Sequence, residues 1–242
     1  MIKKIRVMTA SYKNICLPLA EGKKIRGFFA DLDYTDSYLH NHKENGEQIY
    51  KYPLVQYKVI GGNPVIIALE DGIRSIHPHL MEQTSLKLGD KVYTDMALDI
   101  QLSQLPLGDS KERRQYQFLT PWLALNQSNY EKYIQLEKEQ QESLLNHILA
   151  GNILSMCKRF EVTIENRLTV THQLKSTSVW YKGKKMAGFI GSFQINCCIP
   201  NLCGIGKGTA RGFGAVRTQP IKGEMGNGMQ RSSICGMDYQ YQ

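Results

Sequence analysis

The stretch Gly204-Ile205-Gly206-Lys207-Gly208-Thr209-Ala210-Arg211-Gly212-Phe213-Gly214-Ala215-Val216 sets five glycines and two cations in thirteen residues, directly after an apolar, strand-like run. Glycine reaches positive φ without steric penalty and lets a second backbone approach. Successive exposed N–H groups can then form an anion-binding concavity beside a cation such as Lys207 or Arg211. Neither of the common phosphate loops fits. Lys207 is followed by Gly208 rather than Ser or Thr, and the glycine required five positions before Gly206 is Asn201. The dinucleotide-binding spacing also fails, because its third glycine position holds Thr209 and no helical pattern follows.

Charge concentrates around this loop. Between residues 151 and 217 ten Lys or Arg stand against Glu161 and Glu165 alone, so this segment carries the whole net charge of +8. A localised positive field is the footprint of a polyanion site, and no basic amphipathic helix accompanies it, which favours nucleic acid over a membrane surface. At 242 residues there is room for two domains of about 100 residues each. No apolar run approaches the length of a membrane span, and the N-terminus Met1-Ile2-Lys3-Lys4-Ile5-Arg6 lacks a signal-peptide core, so a cytoplasmic protein is expected. The six cysteines form no CxxC pair and no His/Cys metal spacing, which points to free or buried thiols.

Upstream, residues 4–10 read as a strand, and 23–32 carry Ile25, Phe28, Phe29 and Leu32 on one helical face. A polar segment over 33–48 holds Tyr34, Tyr38, His40, His42 and Lys43 and reads as a loop or frayed helix end. Residues 49–60 and 64–69 form a hairpin about Gly61-Gly62-Asn63, 72–80 a second helical or irregular segment, and the alternation from Val92 to Ile100 a half-buried strand. The order β-α-β-β-α-β is the ferredoxin-like unit. Pro106 and Gly108 mark 105–113 as a linker. A similar order repeats after it: a strand ending near Pro121, then a long helix toward Arg159 introduced by the capping-box spacing Ser128-Asn129-Tyr130-Glu131. Its core face holds Leu145, Ile148, Leu149, Ile153 and Met156. Strands follow over 162–171 and 176–181, a turn Lys182-Gly183-Lys184-Lys185, and a strand with Phe189, Gly191, Phe193, Ile195, Cys197 and Ile199 on one face and Ser192, Gln194 and Asn196 on the other. The expectation is therefore an α+β chain of tandem ferredoxin-like (RRM-related) domains: 1–104, a linker 105–113, 114–218, and a flexible tail 219–242.

The run Phe193-Gln194-Ile195-Asn196 through Ile199-Pro200, then Gly204-Ile205-Gly206-Lys207 and Gly212-Phe213-Gly214, resembles the C-terminal glycine-rich signature of the CRISPR-associated repeat-RNA endoribonucleases of the RAMP superfamily. The likeness is densest over 180–216 and extends more sparsely over 116–160. It implies two ferredoxin-like halves and a metal-independent endoribonuclease that cuts precursor RNA within repeats, leaving a 2′,3′-cyclic phosphate and a 5′-OH. It implies no cofactor or metal, CRISPR repeat RNA as partner, subunits of a CRISPR effector complex as further partners, and a monomer or homodimer.

Cutting RNA without a metal needs a base for the 2′-OH, an acid for the leaving 5′-oxygen and a cation for the developing charge, and histidine suits both proton roles near neutrality. In the resembled family a histidine between the first helix and the second strand commonly serves. His40 is the first candidate on that basis, His42 its rival, and Tyr38, Tyr34 and Lys43 are candidate helpers. Lys207 and Arg211 are the phosphate-binding candidates, with Gly204, Gly206, Gly212 and Gly214 shaping the loop and facing RNA. Lys182, Lys184 and Lys185 extend the same field, on a hairpin that the resemblance implies contacts structured repeat RNA. Pro78 separates His77 from His79 and no Cys or carboxylate cluster joins them, so a surface role is expected rather than a metal pair. His147 borders a helical core face and His172 lies in a strand region. Two rival readings stand beside the enzyme. One is a non-catalytic RNA-binding subunit of an effector complex. The other is an RRM-like protein unrelated to CRISPR, which leaves the long glycine signature without a purpose and lacks that class's aromatic strand motif.

Overall fold

The computed structural model describes residues 1–40 and 51–220, with the His40 side chain left out. Its elements are β1 (Ile2–Tyr12), α1 (Gly22–Leu32), α2 (Ser37–His40), β2 (Val55–Ile60), β3 (Asn63–Leu69), α3 (Asp71–Glu82), β4 (Leu86–Leu88), β5 (Lys91–Tyr93), β6 (Leu98–Phe118), α4 (Gln127–Tyr133), α5 (Lys138–Arg159), β7 (Val170–Tyr181), β8 (Lys184–Cys198) and β9 (Val216–Gln219). Among the described residues one antiparallel sheet runs β2-β3-β1-β6-β8-β7, with β9 also paired to β6, while β4 and β5 form a separate two-stranded ribbon. Two ferredoxin-like units are legible in this order. In the first, the strands β1, β2, β3 and β6 lie as fourth, first, third, second. The second repeats that arrangement with β6, β7, β8 and β9. Strand β6 is thus the last strand of one unit and the first of the other. The second unit also has no second helix: the glycine-rich loop, with a 3-10 turn at Thr209–Arg211, stands between β8 and β9 instead.

The expected linker at 105–113 is consequently a correction. Those residues lie inside β6, which pairs with β1 from Leu98 to Gly108 and with β8 from Gly108 onward. The punctuation residues mark a bend rather than a break. Pro106 is tolerated because only β1 lies beside this stretch, leaving its other edge without a ladder to interrupt. Gly108, at φ 130°, is where Ile2 and Cys198 flank the strand from both sides, and a Cβ there would collide with the Met1 carbonyl oxygen. The register then shifts between Asp109 and Arg114.

The β2-β3-β1 part of the sheet is buried on both faces. On one side Met8, Ala10, Tyr12, Ile66 and Ala68 pack with Ile25 and Phe29 of α1 and Ile76 and Leu80 of α3. On the other, Ile5, Val7, Val65 and Ile67 pack with Leu145, Leu149, Ile153 and Met156 of α5, together with Tyr116, Phe118, Trp122, Phe189 and Phe193. Burial on both faces explains why 64–69 reads as a continuous apolar run. The expected α5 core face is found, with Ile148 only half-buried and Cys157 added.

Three further expectations are corrected by local hydrogen bonding. The long helix is two helices. Asn126, not Ser128, caps α4 by accepting from the Asn129 amide at 2.8 Å, and a reciprocal capping box between Glu137 and Gln140 starts α5. The alternation from Val92 to Ile100 is divided between β5, which pairs only with β4, and the start of β6. Residues 162–169 are not a strand, whereas 170–181 are one continuous strand paired along β8 from Lys184 to Ile195. Gln219, expected in the tail, ends β9; residues 221–242 lie outside the described residues.

Gly108→Ala is expected to lower folding stability by about 1–3 kcal/mol, because the new Cβ meets backbone in a left-handed conformation. Denaturant unfolding checks this, and a variant as stable as the parent would contradict the assignment.

Candidate nucleic-acid interface

The glycine-rich loop is docked into the protein rather than laid open. The Gly204 amide donates to Gln56 Oε1 at 2.9 Å, the Tyr52 hydroxyl donates to the Gly204 carbonyl at 2.8 Å, and Lys58 Nζ donates to the Thr209 carbonyl at 3.4 Å. Gln56 and Lys58 are fully buried. They project from the face of β2 opposite α1, where two polar side chains reach the loop backbone instead of water. The loop is also stitched to its own unit. The Ile205 amide donates to Gly214 O at 2.9 Å, Gly214 N to Pro121 O at 2.9 Å, Lys207 N to Leu123 O at 3.2 Å, and Ala215 N to Thr120 Oγ1 at 2.9 Å. At Gly214, φ is 67° and a Cβ would strike the Ile205 carbonyl oxygen. At Gly206 a Cβ would sit 2.5 Å from Trp122 Nε1, which itself donates to Asn152 at 3.1 Å.

These contacts correct part of the expectation for the loop glycines. Gly204, Gly212 and Gly214 are buried, and the amides of Gly204 and Gly214 are already spent on protein acceptors, so they shape the loop instead of cradling an anion. The cations are what the loop presents. Lys207 is exposed, with its ammonium 5.5 Å from the centroid of Tyr181, and Lys182 reaches the same ring from 5.9 Å. Tyr181 in turn meets Phe213 edge-on at 5.6 Å. Arg211 is half-buried and lies close enough to Arg26 of α1 to perturb it. Burial and then the Arg211 charge push the Arg26 guanidinium below its ordinary range, while Tyr57 and Tyr181 oppose the shift. Arg26, Arg211, Lys207 and Lys182 therefore form one cationic group around Tyr57 and Tyr181, drawn from α1, the loop and the β7–β8 turn.

Helix α2 ends beside this group. The Tyr57 hydroxyl donates to the carbonyl of buried Leu39 at 3.4 Å, which fixes the backbone where His40 begins. Tyr38 is half-buried and packs against both cores, its amide donating to Asp36 at 2.8 Å; Tyr34 is exposed. His42 and Lys43 lie outside the described residues. Lys184 and Lys185 are exposed and pair across the hairpin with Tyr181 and Trp180. Asn196 is used structurally, accepting from Thr169 N at 2.7 Å and donating to Arg167 O at 3.1 Å. His77 and His79 lie on α3, and His147 is exposed on α5. His172 of β7 has neither ring nitrogen hydrogen-bonded, and burial lowers its pKa.

Sequence reading missed Tyr52, Gln56, Lys58 and Arg26. In β2 the alternation Val55-Gln56-Tyr57-Lys58-Val59 reads as a half-exposed strand, and nothing local shows that a loop about 150 residues away covers its polar face.

Comparison with known proteins places this geometry in context. Two family models match, described as the Cas6b N-terminal domain over residues 3–105 and the Cas6b C-terminal domain over 108–219, and they meet inside β6. A crystal structure of Cas6b is 36% identical with a TM-score of 0.85, covering 88% of this chain and 99% of that one. A crystal structure of the CRISPR RNA processing endoribonuclease Cas6b is 33% identical with a TM-score of 0.74, covering 90% and 100%. An uncharacterised protein of Methanocaldococcus jannaschii is 42% identical over 110 residues, 45% of this chain and 75% of its own length.

Lys58 gives the docked loop a pH dependence. Burial lowers its pKa from the ordinary 10.5 to about 7. Between those values the unfolded chain holds a proton that the folded protein does not, so this group's contribution to stability rises with pH, and below about 7 the penalty for the buried charge is fully present. Lys58→Met is expected to remove a rise of roughly 1 kcal/mol per pH unit across that window. Unfolding midpoints measured against pH check this, and equal slopes for the two proteins would contradict it.

Proposed function

As the chain belongs to the Cas6b family of CRISPR RNA-processing endoribonucleases, we propose that it cuts precursor RNA within the repeats by a metal-independent route, leaving a 2′,3′-cyclic phosphate and a 5′-OH. A base takes the proton of the 2′-OH, the 2′-oxygen attacks the adjacent phosphorus, the P–O5′ bond breaks, and an acid protonates the departing 5′-oxygen. The observation that carries this reading is the convergence of Arg26 and Arg211 beside the anchored end of α2, where His40 stands. Both guanidiniums offer donors to a phosphate, and a phosphate that gains charge as the 2′-oxygen attacks is stabilised more than its ground state. His40 is assigned the first proton role, with His42, Tyr38 and Lys43 the groups from which its partner comes. Lys207 and Lys182 extend the cationic track for the flanking phosphates, with Lys184 and Lys185 at its outer end.

The test uses end-labelled repeat RNA with EDTA present and compares the parent with His40→Ala and His42→Ala. The expected outcome is one cut position, insensitive to EDTA, abolished by a 2′-deoxy substitution at the scissile nucleotide, with His40→Ala slowing cleavage by about 10²–10⁴-fold while binding survives. Tight binding without cleavage in all three proteins would replace the enzyme with a non-catalytic RNA-binding subunit.

A further inference from the structure

We propose that Trp180 is a stacking platform for an unpaired RNA base, with Lys185 beside it on the same face and Lys182 and Lys184 at the adjoining turn holding the flanking phosphates. This rests on the RNA-binding reading above and deepens it, because it names unpaired nucleotides as what the β7–β8 hairpin grips. Trp180 is 70% exposed, and among the described residues it takes part in no aromatic pair. Residues directly opposite in an antiparallel pair share a face, so Trp180 stands beside Lys185, and the next pair on that face is Ser178 with Ala187. Both are small and leave the indole uncovered. The following pair brings in Phe189, which is buried under Tyr133 and Trp122, so the packed core of this face stops before Trp180 is reached.

The neighbouring residue points the other way. Tyr181 is buried against Phe213 and carries Lys182 and Lys207 on its ring, so the structural aromatic of the hairpin is already assigned. Trp180 adds nothing comparable to the core. On its own face Trp180 has exposed Lys185 opposite it, while exposed Lys182 and Lys184 stand at the adjoining turn on the Tyr181 side, and the chain carries no acidic residue from Lys175 to Lys185. An uncovered aromatic face with one cation beside it and two more at the adjoining turn is an arrangement that single-stranded nucleic acid takes, its bases stacking while its phosphates pair with the charges, whereas a duplex hides its base faces.

Fluorescence reads the proposal directly, since the chain has two tryptophans and the other, Trp122, is fully buried. The full chain is titrated with a mixed-sequence RNA of about 12 nucleotides lacking self-complementarity, and with the same RNA annealed to its complement. The expected result is quenching of the exposed indole by the single strand and not by the duplex. Trp180→Ala should weaken single-strand binding about 10- to 100-fold with the salt dependence unchanged, and Trp180→Phe should restore most of it. Binding by the parent without quenching, with Trp180→Ala as tight as the parent, overturns the stacking role and leaves the RNA-binding reading intact. A loss accompanied by a shallower salt dependence overturns it in favour of charge alone. Absence of binding to both this RNA and the repeat RNA overturns both readings.

Discussion

Both backbone groups of Gly204 are claimed by side chains from the other half of the protein, the amide by Gln56 and the carbonyl by Tyr52. The site is buried, so neither group has water to fall back on, and leaving either unpaired costs about 1–3 kcal/mol. This contact sets the path of everything from Cys203 to Ala215. The second ferredoxin-like unit lacks its second helix, and the loop in its place is closed on itself by a short antiparallel bridge, Ile205 N to Gly214 O and Val216 N to Cys203 O. Other amides go outward to Pro121, Leu123, Thr120 and Gln56, and glycine recurs because side chains at 206 and 214 would meet Trp122 and the Ile205 backbone. A rigid loop then fixes where Lys207 and Arg211 emerge.

Much of the fold was legible where the chemistry is local. Helix α1 announces its apolar face, of which Ile25 and Phe29 are buried while Leu32 is exposed, and Gly61-Gly62 announces the turn between β2 and β3. The glycine-rich loop carried the resemblance to the CRISPR repeat-RNA endoribonucleases, and the family models match. What was not legible depended on pairing between distant segments. Pro106 and Gly108 are turn residues by local rule, yet β1 and β8 hold both of them in one strand. Ser128 satisfies the spacing of a cap, but Asn126 and Glu137 make the caps. Gln56 and Lys58 look like a solvent face until a loop covers them. The same limit applies to the site: the loop cations were readable from composition, whereas Arg26 joins them only through the packing of α1 on the loop. His40 was named through family resemblance, and the structure adds the anchored helix end on which it stands.

The loop's cations and those around it divide into two settings. Arg26 and Arg211 are partly buried and near enough for the charge of one to lower the pKa of the other. Lys182, Lys184, Lys185 and Lys207 are exposed and sit on a hairpin and a loop that share Tyr181. The first setting suits a phosphate whose charge changes during reaction, and the second suits the flanking backbone of a longer strand. Strand β6 makes the two compatible by fixing both ferredoxin-like units in one sheet, so that α1 of the first faces the loop of the second.

Whether the loop is a docked structural element or an open anion cradle is decided most directly by amide hydrogen exchange in the RNA-free protein. If the loop is docked, the amides of Gly204, Ile205 and Gly214 exchange as slowly as those of central β6, and Gln56→Ala selectively accelerates Gly204. Fast exchange of all three amides in the parent protein, slowing only when RNA is added, would contradict the docked loop and restore the cradle.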